Sequence, residues 1–229
     1  MEILYEDNHL IIINKACSEI VQADKTGDPS LLDHLKIYIK NKYNKPGEVF
    51  LGLVHRLDRP TSGIVVFAKT SKALSRMNQI FKDRNLKKLY WAVVDNKPEN
   101  QQGQLKHHLV KNEAQNKSYA FSSPKQGSKE ALLNYALLAS SDNYYLLEIE
   151  LLTGRHHQIR AQLATMDCRI KGDMKYGFPR PNKDGGIHLH ARYLEFIHPV
   201  KKEKICITAP VPADKLWKLF ETVARKVQP

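Results

Sequence analysis

Apolar residues run through this chain in two rhythms. Leu4-Tyr5 and Leu10 to Ile13 are short apolar runs on either side of the polar turn Glu6-Asp7-Asn8-His9, the pattern of two strands. Leu31 to Tyr43 instead carries its apolar residues at helical spacing, through Leu32, Leu35 and Ile39, and the stretch before it is polar and rich in turn formers. Phe50 to Val54 and Gly63 to Ala68 read as strands flanking a loop. Thr70 or Ser71 can then cap a helix whose apolar face is Leu74, Met77, Ile80 and Phe81.

The strand rhythm returns at Tyr90 to Val94 and again at Leu105 to Leu109, Lys117 to Phe121, Ala131 to Leu138 and Tyr144 to Leu152. Successive strands with short turns give a largely antiparallel sheet. His156 to Met166 has helical spacing through Ile159, Leu163 and Met166, strands follow at Ile187 to Ile197 and Ile205 to Ala209, and a last helix runs from about Ala213 through Leu216, Trp217, Phe220 and Val223. No internal repeat and no low-complexity linker interrupts the pattern. The expectation is one α+β domain over residues 1–229, with a mixed, largely antiparallel sheet flanked by helices.

Charge narrows the partner. Lys and Arg number 36 against 24 Asp and Glu, a formal net charge of +12, which favours a polyanion because basic surface concentrates phosphates around it. Nucleic acid comes first and an anionic membrane second. No stretch nears the roughly 20 apolar residues that span a bilayer, and the N-terminus lacks a basic region followed by an apolar one. Cys17, Cys168 and Cys206 are odd in number and widely spaced, so neither a disulfide framework nor a thiolate zinc site is indicated. A soluble, cytoplasmic protein is expected.

Candidate chemistry centres on Asp58, which sits between Arg56 and Arg59 and just before the apolar run Ile64 to Ala68. Nearby positive charge favours the ionised carboxylate, which suits a nucleophile or base better than a proton donor. A turn ion pair is the plain alternative; the adjacent buried-type strand favours a functional loop on a rigid mount. From Lys69 to Lys88 the cations Lys69, Lys72, Arg76, Lys82, Arg84, Lys87 and Lys88 face the single acid Asp83, as a solvated face or as a phosphate contact. Arg155, His156, His157 and Arg160 cluster where a helix begins. Cations there oppose the macrodipole at a cost of about 0.3 to 1 kcal/mol each, so an anion is needed close by, either a carboxylate such as Asp58 or an RNA phosphate. His188-x-His190, His156-His157 and Asp173 raise the rival of a metal-dependent hydrolase, but two alternating histidines do not make a metal site. No metal or other cofactor is expected.

These residues resemble the RluA-type pseudouridine synthases, which isomerise selected uridines in ribosomal or transfer RNA. His55-Arg56-Leu57-Asp58 with Thr61-Ser62-Gly63 and Phe67-Ala68-Lys69 is similar to the family's catalytic motif nearly letter for letter. Tyr5-Glu6-Asp7 with Asn14-Lys15 resembles the N-terminal motif, and Lys88-Leu89-Tyr90 the segment with the active-site tyrosine. Gly154-Arg155 followed by His157-Gln158-Ile159-Arg160, with Gly172-Asp173 and Tyr176-Gly177, resembles the third motif. The resemblance implies the pseudouridine synthase catalytic fold and an RNA-modifying isomerase that flips its target base. It implies Asp58, Tyr90 and Arg160 as catalytic residues: Asp58 reacting, Tyr90 beneath the uracil, Arg160 pairing with Asp58. Arg56 would enter the vacated stack, and His55, Arg59, Lys69 and Arg155 would join it in contacting structured RNA.

Two departures stand out. Ala16-Cys17-Ser18 replaces the family's usual Pro-x-Gly, and His156 stands where Thr is commoner. The first motif begins near Ile3, so the S4-type RNA-binding domain that many relatives carry ahead of it is not expected here. A non-catalytic RNA-binding module of the same fold is the other alternative, and it would be expected to lose Asp58, Tyr90 or Arg160.

Overall fold

The computed structural model describes residues 1–23 and 27–227; Asp24 to Thr26, within the polar stretch before the first helix, lie outside it. The chain divides into two compact units, one of residues 1–87 and 193–210, the other of residues 88–192 and 211–229. Each is α+β, with antiparallel strands and packed helices.

In the first unit, β1 (Glu2–Glu6) pairs antiparallel with β2 (Leu10–Lys15), and β2 with β4 (Ser62–Ala68). Every residue of β4 is buried, as its unbroken apolar run requires. The short strand β3 (Gly52–Leu53) pairs with the end of β4. It is shorter than the apolar run Phe50 to Val54 predicts, and Phe50 is exposed. α1 (Leu31–Lys42) opens with a capping box: the Ser30 hydroxyl accepts from the Asp33 N–H while the Asp33 carboxylate accepts from the Ser30 N–H. α2 (Ser71–Lys82) is capped by Thr70, whose Oγ1 accepts from the Ala73 N–H at 3.1 Å. It approaches so closely that a Cβ on Gly52 would meet Leu74 Cδ2 at 2.5 Å, which explains a glycine there.

The second unit is built on an antiparallel sheet whose strands do not lie in sequence order. β5 (Leu86–Val94) pairs with β9 (Tyr145–Leu151), β9 with β8 (Lys129–Ser140), β8 with β6 (Gln102–Asn112) and β6 with β7 (Lys117–Phe121), all antiparallel. α3 (Gln158–Thr165) covers one face and α4 (Lys215–Val227) the other; Trp217, Phe220 and Ala224 of α4 pack on Trp91, Val93, Ala139 and Leu146. β10 (Leu189–Ile197) follows the turn at residues 174–176, and from Tyr193 onward it pairs with β11 (Lys204–Thr208) in the first unit. No helix among the described residues is long and apolar enough to cross a membrane.

Candidate active site

The expected site residues fall in both units. His55, Arg56, Asp58, Arg59 and Lys69 belong to the first, Tyr90, Arg155 and Arg160 to the second.

In the first unit the Asp58 loop connects β3 to β4. A turn closes it: the Thr61 N–H donates to the Asp58 carbonyl at 3.0 Å, leaving the half-buried carboxylate outside the turn's own bond. Lys15 holds this loop from beneath. It is 1 % exposed, and its ammonium donates to the carbonyls of Ala16 (2.8 Å), Arg59 (3.0 Å) and Thr61 (2.7 Å). Burial pulls its pKa down to about 8, against the raising influence of Glu19, Cys17 and Asp58. At neutral pH it still carries its proton, so three donors meet three acceptors. The loop of Ala16-Cys17-Ser18 is tied to the same segment, with the Ser18 N–H donating to the Arg59 carbonyl and Arg59 Nε to the Ser18 carbonyl. Ser18 adopts φ 69°, the left-handed backbone that the glycine of the usual Pro-x-Gly provides without strain. A serine in that backbone region costs about 1 to 2 kcal/mol.

Three of the residues expected to contact RNA have scaffold partners. His55 Nε2 accepts from the Val66 N–H at 3.2 Å, and its ring stacks on Phe81 at 4.9 Å between centroids. Arg59 reaches Asp28 at 2.9 Å besides its bond to Ser18. Lys69 is mostly buried; its ammonium lies 3.0 Å from Glu6 and 4.5 Å from the centre of the Tyr43 ring. Arg56 is exposed.

Glu6 is the hub of that second cluster. Burial raises its pKa, but hydrogen bonds from Lys42, Lys69, Tyr43 and Tyr38 outweigh this and hold the carboxyl down at about 2. Asp7 also settles at about 2: burial is opposed by the backbone N–H groups of His9 and Leu10 and by Lys201 and Tyr5. Both folded pKa values lie below the unfolded ones. Their contribution to stability is therefore complete above pH about 4.5 and disappears as the pH falls through about 2. Urea midpoints are expected to be flat between pH about 7 and 5 and to fall below about 4, and Glu6→Gln to cost roughly 2 kcal/mol at neutral pH while flattening that acid slope. An acid slope in Glu6→Gln as steep as the wild type's would exclude this assignment.

In the second unit the register of the strands fixes which way Tyr90 points. Tyr90 lies opposite Ile149, and Ile149 opposite Tyr135. Side chains directly opposite share a face, as do alternate residues along a strand, so Tyr90 shares a face with Tyr135, Leu133 and Ala131. Ala131 packs with Ala161 of α3. Tyr90 thus points to the α3 side, whereas Trp91 points to α4 and takes the Arg192 guanidinium over its ring at 4.5 Å.

α3 begins after a kinked turn. Gln158 Oε1 accepts from the Thr153 hydroxyl (2.8 Å) and the Arg155 N–H (3.0 Å), and its amide donates to the Leu132 carbonyl. His157 sits at φ 53° and stacks on His156 at 3.8 Å. Half-buried Arg155 donates from Nε to the Glu130 carbonyl. Arg160 is 5 % exposed and forms a two-pronged pair with Asp173, Nε to Oδ2 and Nη2 to Oδ1, both at 2.7 Å. This carboxylate is the anion that the crowded helix start requires.

The pair extends into a chain of hydrogen bonds. Arg160 Nη1 lies 2.9 Å from His157 Nε2, and since a guanidinium only donates, that nitrogen accepts. The ring proton therefore sits on Nδ1, 3.0 Å from the Tyr176 hydroxyl. Tyr176 in turn donates to the Ser118 carbonyl and accepts from the Ser118 N–H. Arg160 is thus fixed along two edges of its plane. Its roles and those of Asp173, His157 and Tyr176 belong to one network; the sequence signals the need for an anion but not its identity, and Ser118 carries no signal at all.

The histidines of the metal-hydrolase alternative are occupied differently. His188 Nδ1 meets the Asn182 amide at 2.9 Å, Nε2 meets Asp214 at 3.2 Å, and the ring stacks on Trp217. Burial and Lys171 drive its pKa down to about 4, although Asp214 pulls upward. Among the described residues no group of three or more potential ligands is placed to hold a metal ion.

The family model for RNA pseudouridylate synthases matches residues 9–165. The chain belongs to that family. It is 31% identical over 224 residues to the ribosomal large subunit pseudouridine synthase D of Zymomonas mobilis, covering 93% of this chain and 70% of that protein. It is also 31% identical over 243 residues to the tRNA pseudouridine synthase C of Vibrio vulnificus, covering 96% and 94%. Among solved structures, human RNA pseudouridylate synthase domain containing 4 superposes with a TM-score of 0.79 at 26% identity, over 98% of this chain and 93% of that one. Several curated relatives are longer, and the chain spans 66% to 70% of three of them. The RluA-type resemblance and the α+β pseudouridine synthase fold expected from the sequence both hold.

Proposed function

We propose that this protein converts a specific uridine of structured RNA, transfer or ribosomal, into pseudouridine, with Asp58, Tyr90 and Arg160 as its catalytic residues. The reaction breaks the bond between ribose carbon and base nitrogen, turns the uracil and rejoins it through carbon, without redox change or added group. A single ionised carboxylate can start it, by adding covalently or by taking a proton from the sugar. The observation that carries the reading is the mounting of Asp58: a half-buried carboxylate in a closed turn, with a buried lysine bracing the loop on three carbonyls. Tyr90 supplies a flat face for a flipped base, a contact worth about 1 to 3 kcal/mol. Exposed Arg56 has the length to fill the vacated stack, and Arg155 joins it at the RNA. His55, Arg59 and Lys69 serve the scaffold before they serve RNA. The two units together form one catalytic domain working in the cytoplasm.

Relatives named for ribosomal and for transfer RNA support both substrate classes equally. Incubating the protein with uridine-labelled cellular RNA and separating the nucleosides is expected to yield pseudouridine; absence of product from both transfer and ribosomal pools would refute the reading.

A further inference from the structure

The basic run after Lys69 is not absorbed by the Asp58 loop. Lys72, Lys82 and Arg84 are exposed along and just beyond α2. Between the later turns of α2 and the turn joining β10 to β11 lies a groove of about 240 Å³, lined by Arg76, Gln79, Ile80, Asp83, Asn85, Pro199 and Lys202. Its lining joins apolar Ile80 and Pro199 to the cations Arg76 and Lys202. The one acid is partly neutralised in its hydrogen-bonding capacity, since the Gln79 amide donates to both Asp83 oxygens at 2.8 Å.

One of the two cations is tied to the turn, and the turn itself is held by its backbone. Arg76 Nη1 donates to the Pro199 carbonyl at 3.1 Å, which ties the guanidinium to the turn. The turn is clamped by His198, fully buried, whose Nδ1 accepts from the N–H groups of Val200 (3.2 Å) and Lys201 (2.9 Å). The Lys202 N–H closes the turn on the His198 carbonyl at 3.1 Å, with Lys202 at φ 63°. A groove that joins a fixed guanidinium and a second cation to apolar side chains matches a nucleotide: phosphate on Arg76 and Lys202, an unstacked base against Ile80 and Pro199.

We infer that this groove is a second RNA contact, taking a single-stranded stretch of the substrate RNA away from the uridine being modified. The inference rests on the proposed function for the identity of the partner. Its test reads binding, not product. Arg76→Gln/Lys202→Gln is compared with wild type for affinity to a labelled oligouridylate and to bulk transfer RNA across a salt series, with thermal midpoints as the check on folding. Lys40→Gln/Lys45→Gln, on α1 and the turn after it, is the control for a general loss of charge.

The groove variant is expected to bind at least about tenfold more weakly and to lower the slope of log affinity against log salt by about 1 to 1.5, the share of two phosphates on a single strand. The control should lose little. Equal losses in both variants, or wild-type affinity in the groove variant, would overturn the inference. So would a variant that keeps its RNA affinity but loses binding to polyglutamate, which would assign the groove to an acidic protein. If wild type binds RNA through the groove yet makes no pseudouridine, the proposed function fails while the groove stands.

Discussion

Asp58→Asn is expected to reduce pseudouridine formation by about a thousandfold or more while leaving the protein folded. The carboxylate is the acidic group of its loop and is proposed to act as nucleophile or base, and such a step contributes about 10² to 10⁴ in rate, more where a covalent intermediate is lost. Stability should survive because the turn bond and the Lys15 brace are made by backbone carbonyls. The turn closes on the Asp58 backbone carbonyl, and Lys15 binds the carbonyls of its neighbours. Asn preserves volume and loses only the charge. Single-turnover assays with labelled RNA, alongside thermal melts, measure both halves. Activity within tenfold of wild type would remove Asp58 from the chemistry. A melt lowered by several degrees would instead give it a structural part, as an anion compensating the buried Lys15 ammonium.

Local signals in the sequence were the ones that survived folding. The β4 run, the Thr70 cap and the turn at Asp58 are written in consecutive residues, and each forms where it is expected. β6 and β8 reach beyond their apolar cores to Gln102, Gln104, Lys129 and Glu130, because strands facing solvent carry polar residues that no hydrophobic pattern marks. α3 starts at Gln158 rather than His156, since the left-handed His157 breaks the helix before it begins. The site divides the same way. Asp58 was legible from its flanking arginines, whereas the duty of Lys69 is set by Glu6, 63 residues away, and no spacing rule links the two. Asp173 was visible within a motif, but its use depends on a loop folding back over 13 residues to meet Arg160.

That use makes Arg160→Ala the other large effect. Arg160 and Asp173 are 5 % and 1 % exposed at their side chains, so removing the guanidinium leaves a carboxylate without its counter-charge in a place water does not reach. His157 Nε2 loses its donor at the same time. Breaking a buried pair from one side costs about 3 to 5 kcal/mol, which for a chain of this size lowers the melting temperature by roughly 10 °C. Activity should fall as well, and assays well below the lowered melt separate the two losses. Replacing both partners by apolar residues of similar volume, Arg160→Met with Asp173→Leu, relieves the unpaired charge and should recover part of the stability. It should recover none of the activity if Arg160 is catalytic. Equal melting temperatures for wild type and Arg160→Ala would mean that Asp173 tolerates burial alone, and the two-pronged pair would then have no energetic role. A double variant as active as wild type would take Arg160 out of the catalytic set while leaving its structural role intact.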